Sequence, residues 1–351
     1  MRVLGIETSC DETSAAVLRG DGNDVTLESL VILSQDVHRV FGGVVPEIAS
    51  RAHLTAIVPV VERALADAGG EAVDAVAVTN APGLVGALLV GVSFAKAYAF
   101  ARGVPVVGVH HMEGHLFATA LEHPAAVPPF TALLVSGGHT LLIDVEAWGR
   151  YRLLGRTRDD AAGEAFDKVA KLLGLPYPGG PHVERVAAIR GGSADSGEFR
   201  FARPMLRRNQ TPEDSDFYDV SFSGLKTAVL NAVRGVGSAA DIERDRPAIA
   251  RAFQDALIET LVEKTVRAVV QHRRSWVVLG GGVACNATLV GAMRDRLVPR
   301  GVEVFAPSPR LATDNAAMIA RAGLFHLERG ERSGLDLNAF AAQPIPGLVA
   351  A

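Results

Sequence analysis

The sequence predicts an α/β fold with largely parallel sheets, organised as two related lobes. Apolar strands alternate with helical segments along most of its 351 residues, which is the pattern expected of sheets crossed over by helices. Two stretches also share one design, in which an apolar strand ends in a polar turn and resumes as a second strand. The first comprises residues 3–6 and 15–18, and the second comprises residues 131–135 and 141–145. We take these stretches as the openings of the two lobes.

The remaining elements follow in alternation. In the first lobe we predict helices at 51–69 and 85–101 and strands at 75–79 and 106–109. In the second we predict helices at 164–173, 249–272 and 286–297 and strands at 276–279 and 302–305. The lobes therefore span residues 1–127 and 128–330, and residues 331–351 form an extended, weakly held tail. Residues 194–221 are charged and poor in apolar side chains, which indicates an irregular surface insertion.

Composition narrows the classes of function. Hydrophobic residues make up 48% of the chain, enough for a substantial core, and the net charge of −4 excludes a strongly basic coat for nucleic acid. Cys10 and Cys285 are too few and too far apart for a disulfide scaffold or a CxxC zinc site, so we expect a reducing, cytoplasmic setting. Residues 85–101 are apolar but include Lys96, glycine and serine, so we expect a buried helix and no membrane association.

The strongest metal signal is a pair of histidines directly after a predicted strand. If residues 111–115 open a helix, His111 and His115 lie one turn apart on one face and can share a cation. His110 then points elsewhere. The alternative is that these are helix-start histidines satisfied by backbone groups. The position at the carboxyl end of a parallel strand, where open α/β sheets place ligands, favours function.

The same segment argues against a metalloprotease. Zincins need a glutamate immediately after the first histidine, near the metal-bound water. Met112 holds that place here, and Glu113 lies on the opposite face of the predicted helix.

A third ligand has to come from a distant segment. Asp314 is the candidate, because it lies between a loop and an apolar helix. The alternative is that Thr313 or Asp314 is an N-cap, and local spacing alone favours that role.

Glycine-rich turns provide the phosphate signals. Residues 136–140 and 280–286 each follow a strand and expose backbone N–H groups, but neither matches a P-loop or a dinucleotide fingerprint. Together with the matching turn near residue 10, they are typical of the two-lobed actin-like, sugar-kinase and heat-shock-ATPase architecture, a ribonuclease H-like fold. Asp167 and Lys168 either face a cleft or belong to a solvated first helical turn.

A local basic stretch is the candidate contact for RNA. It contains Arg200, Arg203, Arg207 and Arg208, beside Phe199 and Phe201. Arginine–phosphate and aromatic–base contacts suit a single-stranded loop. A solvated insertion is the alternative.

Six motifs in a fixed order identify the chain as similar to a known family. They are residues 7–13, 42–47, 111–115, 135–140, 224–227 and 313–315. In this order they resemble the bacterial tRNA N6-adenosine threonylcarbamoyltransferase family, once described as O-sialoglycoprotein endopeptidases. The resemblance extends from Met1 to about Gly330.

The resemblance implies two actin-like lobes with the site in the cleft between them. It implies that His111, His115 and Asp314 bind one divalent metal, iron or alternatively zinc, which reverses the preference for a cap at Asp314. The residues implied to contact the substrate are Leu134, Val135, Ser136, Gly137, Gly138, Asp167, Gly180, Glu184 and Asn286. Glu184 departs from the family, where aspartate is common, as does Cys285, where alanine is common.

The implied reaction is transfer of a threonylcarbamoyl group from threonylcarbamoyl-AMP to N6 of adenosine 37, in tRNAs that read codons beginning with A. It forms t6A and releases AMP. Asp11 and Glu12 are candidates for the general base, although they could equally be ordinary turn acids. Family members also imply a paralogous inactive partner and a small ATPase. The helix predicted at 51–69 could form a partner face, with core packing as the alternative.

Two other functions compete with this one. An actin-like ATPase or sugar kinase would use the same phosphate turns but does not explain the two histidines. A metalloprotease would use the histidines but lacks the zincin glutamate.

Overall fold

The computed structural model describes residues 1–189, 199–236 and 239–350. Its strands are β1 Arg2–Glu7, β2 Glu12–Asp21, β3 Asp24–Ser34, β4 Ala75–Ala81, β5 Val106–His110, β6 Phe130–Val135, β7 Thr140–Ala147, β8 Arg150–Arg156, β9 Trp276–Gly280, β10 Glu303–Phe305 and β11 Leu348–Ala350. Its α-helices are α1 Pro46–Asp67, α2 Val85–Arg102, α3 His111–Ala118, α4 Ala162–Leu172, α5 Gly179–Ala187, α6 Ser223–Val236, α7 Ala239–His272, α8 Ala287–Leu297, α9 Pro309–Ala312 and α10 Ala316–Glu328.

The described residues form two compact units whose limits differ from the predicted lobes. The first contains Met1–Val127 and Pro307–Gly347, and the second contains Pro128–Ala306 and the last strand, β11. The prediction that 128–330 form one lobe is therefore wrong for residues 307–330. The reason is that α10 packs on β1, β2 and β4 of the first sheet.

The first unit contains a five-stranded sheet in the order β3-β2-β1-β4-β5. Strands β1, β2 and β3 pair antiparallel, whereas β4 and β5 run parallel to β1. Because side chains alternate along a strand, Leu4 and Ile6 join the core with Val92 on the α1 and α2 side. Gly5 points the other way, where an added Cβ would meet the backbone of Ala316 and Ala320. Helix α10 can therefore lie directly on the sheet.

The second unit contains a six-stranded sheet in the order β10-β9-β6-β7-β8-β11. Strands β6, β7 and β8 form an antiparallel meander, and β9 and β10 extend it in parallel. Its core joins Leu133 and Leu279 of the sheet to helix side chains such as Phe166 and Phe253. The rings of these two phenylalanines meet edge to face, 5.3 Å apart.

The segment after Gly330 is not weakly held, so that prediction is wrong. Lys96 Nζ donates to the carbonyls of Leu335 at 3.1 Å and Leu337 at 2.9 Å. The Phe340 amide donates to the Asn80 carbonyl at 2.9 Å, and β11 pairs with β8. This segment has little regular secondary structure, but hydrogen bonds to its backbone hold it in place.

Two further predictions concern α2 and the insertion. Among the described residues α2 alone has the length and composition to cross a membrane, and a third of it is buried, against β4 and α1. The predicted absence of membrane association stays a prediction. Within the insertion predicted at 194–221, residues 194–198 lie outside the described residues, and residues 199–219 contain no helix or paired strand, as predicted. Near its end Val220 is buried and pairs with Thr157, so this part does not lie on the surface.

Candidate functional site

Two histidines and one aspartate converge on a single point in the first unit. His111 and His115 lie one turn apart in α3, with ring centroids 4.8 Å apart and rings at 88° to each other. Nε2 of each imidazole lies 3.3 Å from Oδ1 of Asp314, which precedes α10. Each residue offers one ligand atom, and these atoms all lie within 4.8 Å of one another. The one-turn spacing thus places both imidazoles on the same face, towards the carboxylate.

Asp314 does not cap α10, contrary to what local spacing favoured. Asn315 takes that role, since its side-chain oxygen accepts from the Met318 amide at 3.1 Å. Its Nδ2 donates to the carbonyls of Thr313 at 2.8 Å and Leu311 at 3.1 Å. The asparagine therefore fixes the turn by itself, and the Asp314 carboxylate is left to face the two imidazoles.

A buried carboxylate orients His111 from behind. Nδ1 of His111 contacts Oε2 of Glu7 at 3.0 Å and Oγ of Ser9 at 3.2 Å. Glu7 is completely buried at the end of β1, and Thr79 Oγ1 donates to it at 2.6 Å. Although burial alone raises the pKa of Glu7, the charge and hydrogen bond of His111 lower it. Burial lowers the pKa of His111, but the carboxylates of Asp314 and Glu7 raise it well above its ordinary value.

The buried ring of His115 fits the role of a metal ligand. It is fully buried, and neither ring nitrogen makes a hydrogen bond within the described part of the chain. Its 3.3 Å approach to Asp314 is close but is not aligned as a hydrogen bond. Burial lowers the pKa of His115 and the charge of His111 adds to this effect, whereas the Asp314 carboxylate opposes it only in part. Because buried polar atoms normally have partners, these nitrogens fit a site for a cation.

The chemistry of the donor set fits the metals that the family resemblance implies. Two imidazole nitrogens and one carboxylate oxygen suit a divalent iron or zinc ion rather than magnesium or calcium, which prefer oxygen ligands alone. The carboxylate behind His111 is the partner that metal-binding histidines usually have.

Two polar side chains next to the histidine pair, Glu113 of α3 and His110 of β5, make other contacts. Oε2 of Glu113 lies 2.8 Å from Nε2 of His326. Nε2 of His110 lies 2.9 Å from the carbonyl of Gln343. Glu113 is therefore not positioned as the glutamate of a zincin, and it cannot serve as the catalytic base that a metalloprotease requires.

The turn from β1 into β2 carries the two candidate bases. Asp11 and Glu12 are both half-buried there. Burial raises the pKa of Glu12 to about 10, and the charges of Asp314 and Asp11 add to this. Glu12 is thus close enough to the candidate ligand Asp314 for their charges to interact.

The second unit gathers the residues implied to contact an adenylate. Leu134 and Val135 are buried in β6, so only their backbone can reach a ligand. The following turn is closed by the Ser136 amide donating to the His139 carbonyl at 2.8 Å. Gly137 and Gly138 lie at its exposed tip, where an added Cβ would touch nothing.

The other implied residues lie on α4, on α5 and at the start of α8, and three of them make hydrogen bonds. Asp167 Oδ1 accepts from the Gly179 amide at 2.6 Å, which places Gly180 beside it. Asn286 caps α8 by accepting from the Leu289 amide at 2.8 Å. Oε1 of Glu184 lies 3.2 Å from the Thr288 amide, in the first turn of α8. Starting from α4, whose Gly163 amide donates to the Ser136 carbonyl at 3.1 Å, these contacts link the implied residues into one region.

Two of the four arginines in the basic stretch already form ion pairs. Arg203 forms an ion pair with Glu259 at 2.7 Å, and Arg207 with Asp216 at 3.0 Å. Phe201 is buried, so it cannot stack on a base.

Sequence reasoning assigned no role to Glu7, although a signal was present. An acid that ends an otherwise apolar strand has to be paired once that strand is buried. The partner of Glu113, His326, gave no such signal, because it lies in an ordinary helix far along the chain.

Known proteins are similar in sequence to this chain over nearly its whole length. The family model for tRNA N6-adenosine threonylcarbamoyltransferase matches residues 26–321. A relative of that name from Gemmatimonas aurantiaca is 67% identical over 351 residues, covering 99% of this chain and 98% of the relative. Another, from Geobacter metallireducens, is 52% identical over 347 residues, covering 98% and 97%.

Solved structures share the fold at low identity. Component A of the (R)-2-hydroxyglutaryl-CoA dehydratase of Acidaminococcus fermentans matches with a TM-score of 0.54 at 15% identity, covering 94% of this chain and 100% of that chain. HypF of T. kodakarensis matches with a TM-score of 0.60 at 14% identity, covering 94% and 48%. These likenesses concern the fold alone, and they confirm the predicted actin-like α/β class.

Proposed function

The chain belongs to the tRNA N6-adenosine threonylcarbamoyltransferase family, and we propose that its two units divide the work of that reaction, the first holding a divalent cation and the second an adenylate. It is an enzyme that transfers a threonylcarbamoyl group to N6 of adenosine in tRNA, forming t6A. The donor in our proposal is threonylcarbamoyl-AMP and the acceptor is adenosine 37. A bond forms between N6 and the carbamoyl carbon, the bond from that carbon to the phosphate oxygen breaks, and AMP leaves.

The convergence of His111, His115 and Asp314 carries the metal part of the proposal. These residues would hold one divalent ion, Fe²⁺ in our proposal, with Zn²⁺ as the alternative. When bound, the ion would supply positive charge for a donor oxygen that becomes negative during transfer. Glu7 accepts from Nδ1 of His111, which leaves Nε2 as the ligand atom, and the low pKa of His115 keeps its lone pair available.

The exposed turn after β6 carries the adenylate part. The absence of side chains at Gly137 and Gly138 lets a phosphate approach the backbone closely. The start of α5 at Gly180 and the cap of α8 at Asn286 lie in the same region and offer the positive ends of two helix dipoles.

The proton of N6 needs an acceptor. We propose one of the two turn acids, Asp11 or Glu12, for this role, because Glu12 is close enough to Asp314 for their charges to interact and Asp11 is its neighbour in the same turn. Because burial and the charges of Asp314 and Asp11 raise the pKa of Glu12 to about 10, Glu12 holds a proton near neutral pH and can accept one from N6 only after losing its own.

The structure of α1 and α2 supports a protein partner. Their inner faces pack in the core, but Leu54 and Val58 on α1 are 64% and 48% exposed, and Val85 and Leu89 on α2 are each 41% exposed. Each pair is spaced by one helical turn, and the two helices pack side by side. We propose that this apolar surface binds the paralogous inactive partner, which itself works with a small ATPase. Leu54→Asp should abolish co-elution with that paralogue in size-exclusion chromatography, and retained co-elution would argue against this surface.

For tRNA, Arg200 and Arg208 are the members of the basic stretch that stay available. Both are exposed and make no ion pair within the described residues, unlike Arg203 and Arg207. Arg208→Ala should weaken tRNA binding, and equal binding would remove this patch from the proposal.

Because tRNA is the substrate and both cysteines are free thiols, we propose a cytoplasmic location.

A reconstituted transfer assay tests the proposed function. The purified chain, its partner proteins, threonylcarbamoyl-AMP and unmodified tRNA should yield t6A, detected by nucleoside analysis. ATP-dependent phosphorylation of sugars without t6A would favour a kinase, and peptide cleavage without t6A would favour a protease.

A further inference from the structure

A buried histidine of α1 touches the turn that carries Asp11 and Glu12. His53 is completely buried. Its Nδ1 lies 2.7 Å from Oγ1 of Thr13, and its Nε2 lies 3.0 Å from the carbonyl oxygen of Cys10. One imidazole thus binds the residue before the two acids and the residue after them.

These partners determine where the imidazole carries its proton. The Cys10 carbonyl can only accept, so Nε2 must donate to it. Nδ1 is then unprotonated and accepts from the hydroxyl of Thr13, which is itself buried. Burial lowers the pKa of His53, in agreement with a neutral ring. The contact is therefore a polar clamp and does not depend on charge.

A second layer holds the same turn from outside. The Gln35 amide donates to the Asp11 carbonyl at 3.1 Å. Its side-chain oxygen accepts from Nε2 of buried His38 at 2.9 Å, and Nδ1 of His38 accepts from the Val45 amide at 3.3 Å. No member of this network is a candidate metal ligand, so it can position the turn without holding the ion.

We propose that His53 is a positioning residue that fixes the 10–13 turn and so places the acids Asp11 and Glu12 for proton transfer. The inference rests on the proposed role of those acids. A catalytic group displaced by about 1 Å can lose about 100-fold in rate. Removal of the clamp should therefore lower kcat by about 10- to 100-fold, while the KM for donor and tRNA and the metal content stay unchanged.

A double-mutant cycle tests whether His53 acts through the turn. His53→Ala, Glu12→Gln and the double variant are compared in the transfer assay, together with the same cycle on Asp11→Asn. We expect His53→Ala to lower kcat in the wild-type background and to have no further effect in the background of the acid that acts. His53→Gln, which retains a donor and an acceptor, should recover part of the rate.

Ile57→Ala is the matched control, because Ile57 lies one turn further along α1 and belongs to a core cluster that includes no residue of the 10–13 turn. It should lose stability but keep its kcat. Equal losses of kcat in His53→Ala and Ile57→Ala, additive losses in both cycles, or loss of metal from His53→Ala would overturn the inference. If Glu12→Gln and Asp11→Asn both keep full kcat, the proposed proton acceptor is wrong, and the inference falls with it.

A second pair of variants covers the case in which His53→Ala does not fold. Thr13→Val removes only the hydroxyl that donates to Nδ1, and Thr13→Ser keeps it. We expect a lowered kcat in the valine variant and a nearly normal kcat in the serine variant. Equal kcat in both would contradict the clamp.

Discussion

Glu113 lies between the two metal-binding candidates in sequence, yet its carboxylate binds His326, with Oε2 and Nε2 2.8 Å apart. The other ring nitrogen of His326 lies 2.8 Å from Oε2 of Glu331. Two carboxylates can both accept only if both nitrogens donate, so the geometry fits an imidazolium. Because α3 carries the two histidines and α10 follows Asp314, this ion pair holds together the elements that build the proposed metal site.

The first prediction concerns this ion pair. Burial lowers the pKa of His326, but the hydrogen bonds and charges of Glu113 and Glu331 raise it above 6.5. A raised pKa in the folded state stabilises the fold fully below the unfolded value and loses this effect as the pH rises through the folded value. Chemical denaturation should therefore show the stability advantage of wild type over His326→Gln shrinking as the pH rises above 6.5. A difference that is constant with pH would contradict the imidazolium.

The second prediction concerns the carboxylate behind His111. Glu7→Gln keeps the shape of the side chain but removes the charge that orients Nδ1. Outer carboxylates of this kind typically change metal affinity by about 10- to 100-fold, so the variant should bind Fe²⁺ or Zn²⁺ more weakly in a competition titration. Glu47→Gln, whose carboxylate is exposed on α1, should bind normally. Equal affinities in the two variants would remove Glu7 from the site.

The third prediction separates binding from folding in the second unit. Gly138→Ala places its Cβ in open space, so the thermal midpoint should stay the same. AMP should bind about 10- to 150-fold more weakly, since a lost hydrogen bond to a charged group amounts to about 1.5–3 kcal/mol. Isothermal titration measures this, and unchanged AMP affinity would argue against the β6 turn as the phosphate site.

Gly281→Ala is the contrasting variant. Gly281 has a φ of +85°, and an added Cβ would run into the Val135 carbonyl. It should therefore lose stability by at least about 1–2 kcal/mol, whatever happens to AMP binding.

Local patterns sufficed for some of these features. The one-turn spacing of His111 and His115 and the glycine turn after β6 depend on neighbouring residues, so periodicity and turn chemistry predict them. By contrast, β3 was missed because its burial alternates poorly along Asp24–Ser34. The start of α1 at Pro46 was missed because the apolar pattern begins later, although proline suits a first helical position.

The sequence pattern does not predict contacts between segments that are far apart in the chain. Nothing near Asp314 distinguishes a ligand from a cap, and only the family resemblance favoured a ligand. The assignment of α10 to the first unit follows from its close approach to Gly5, far away in the chain. The polar clamp at His53 and the ion pair of His326 likewise join segments whose contact cannot be predicted from their spacing in the sequence.

The most direct test of the central claim is metal content measured alongside transfer activity. We compare wild type, the double variant His111→Ala/His115→Ala and the control His110→Gln, whose side chain contacts the Gln343 carbonyl instead of the cluster. Elemental analysis should find one divalent ion per chain in wild type and the control, with full t6A formation. The double variant should lose both ion and activity. A double variant that transfers at the wild-type rate without metal, or that still binds one ion per chain, would contradict the account.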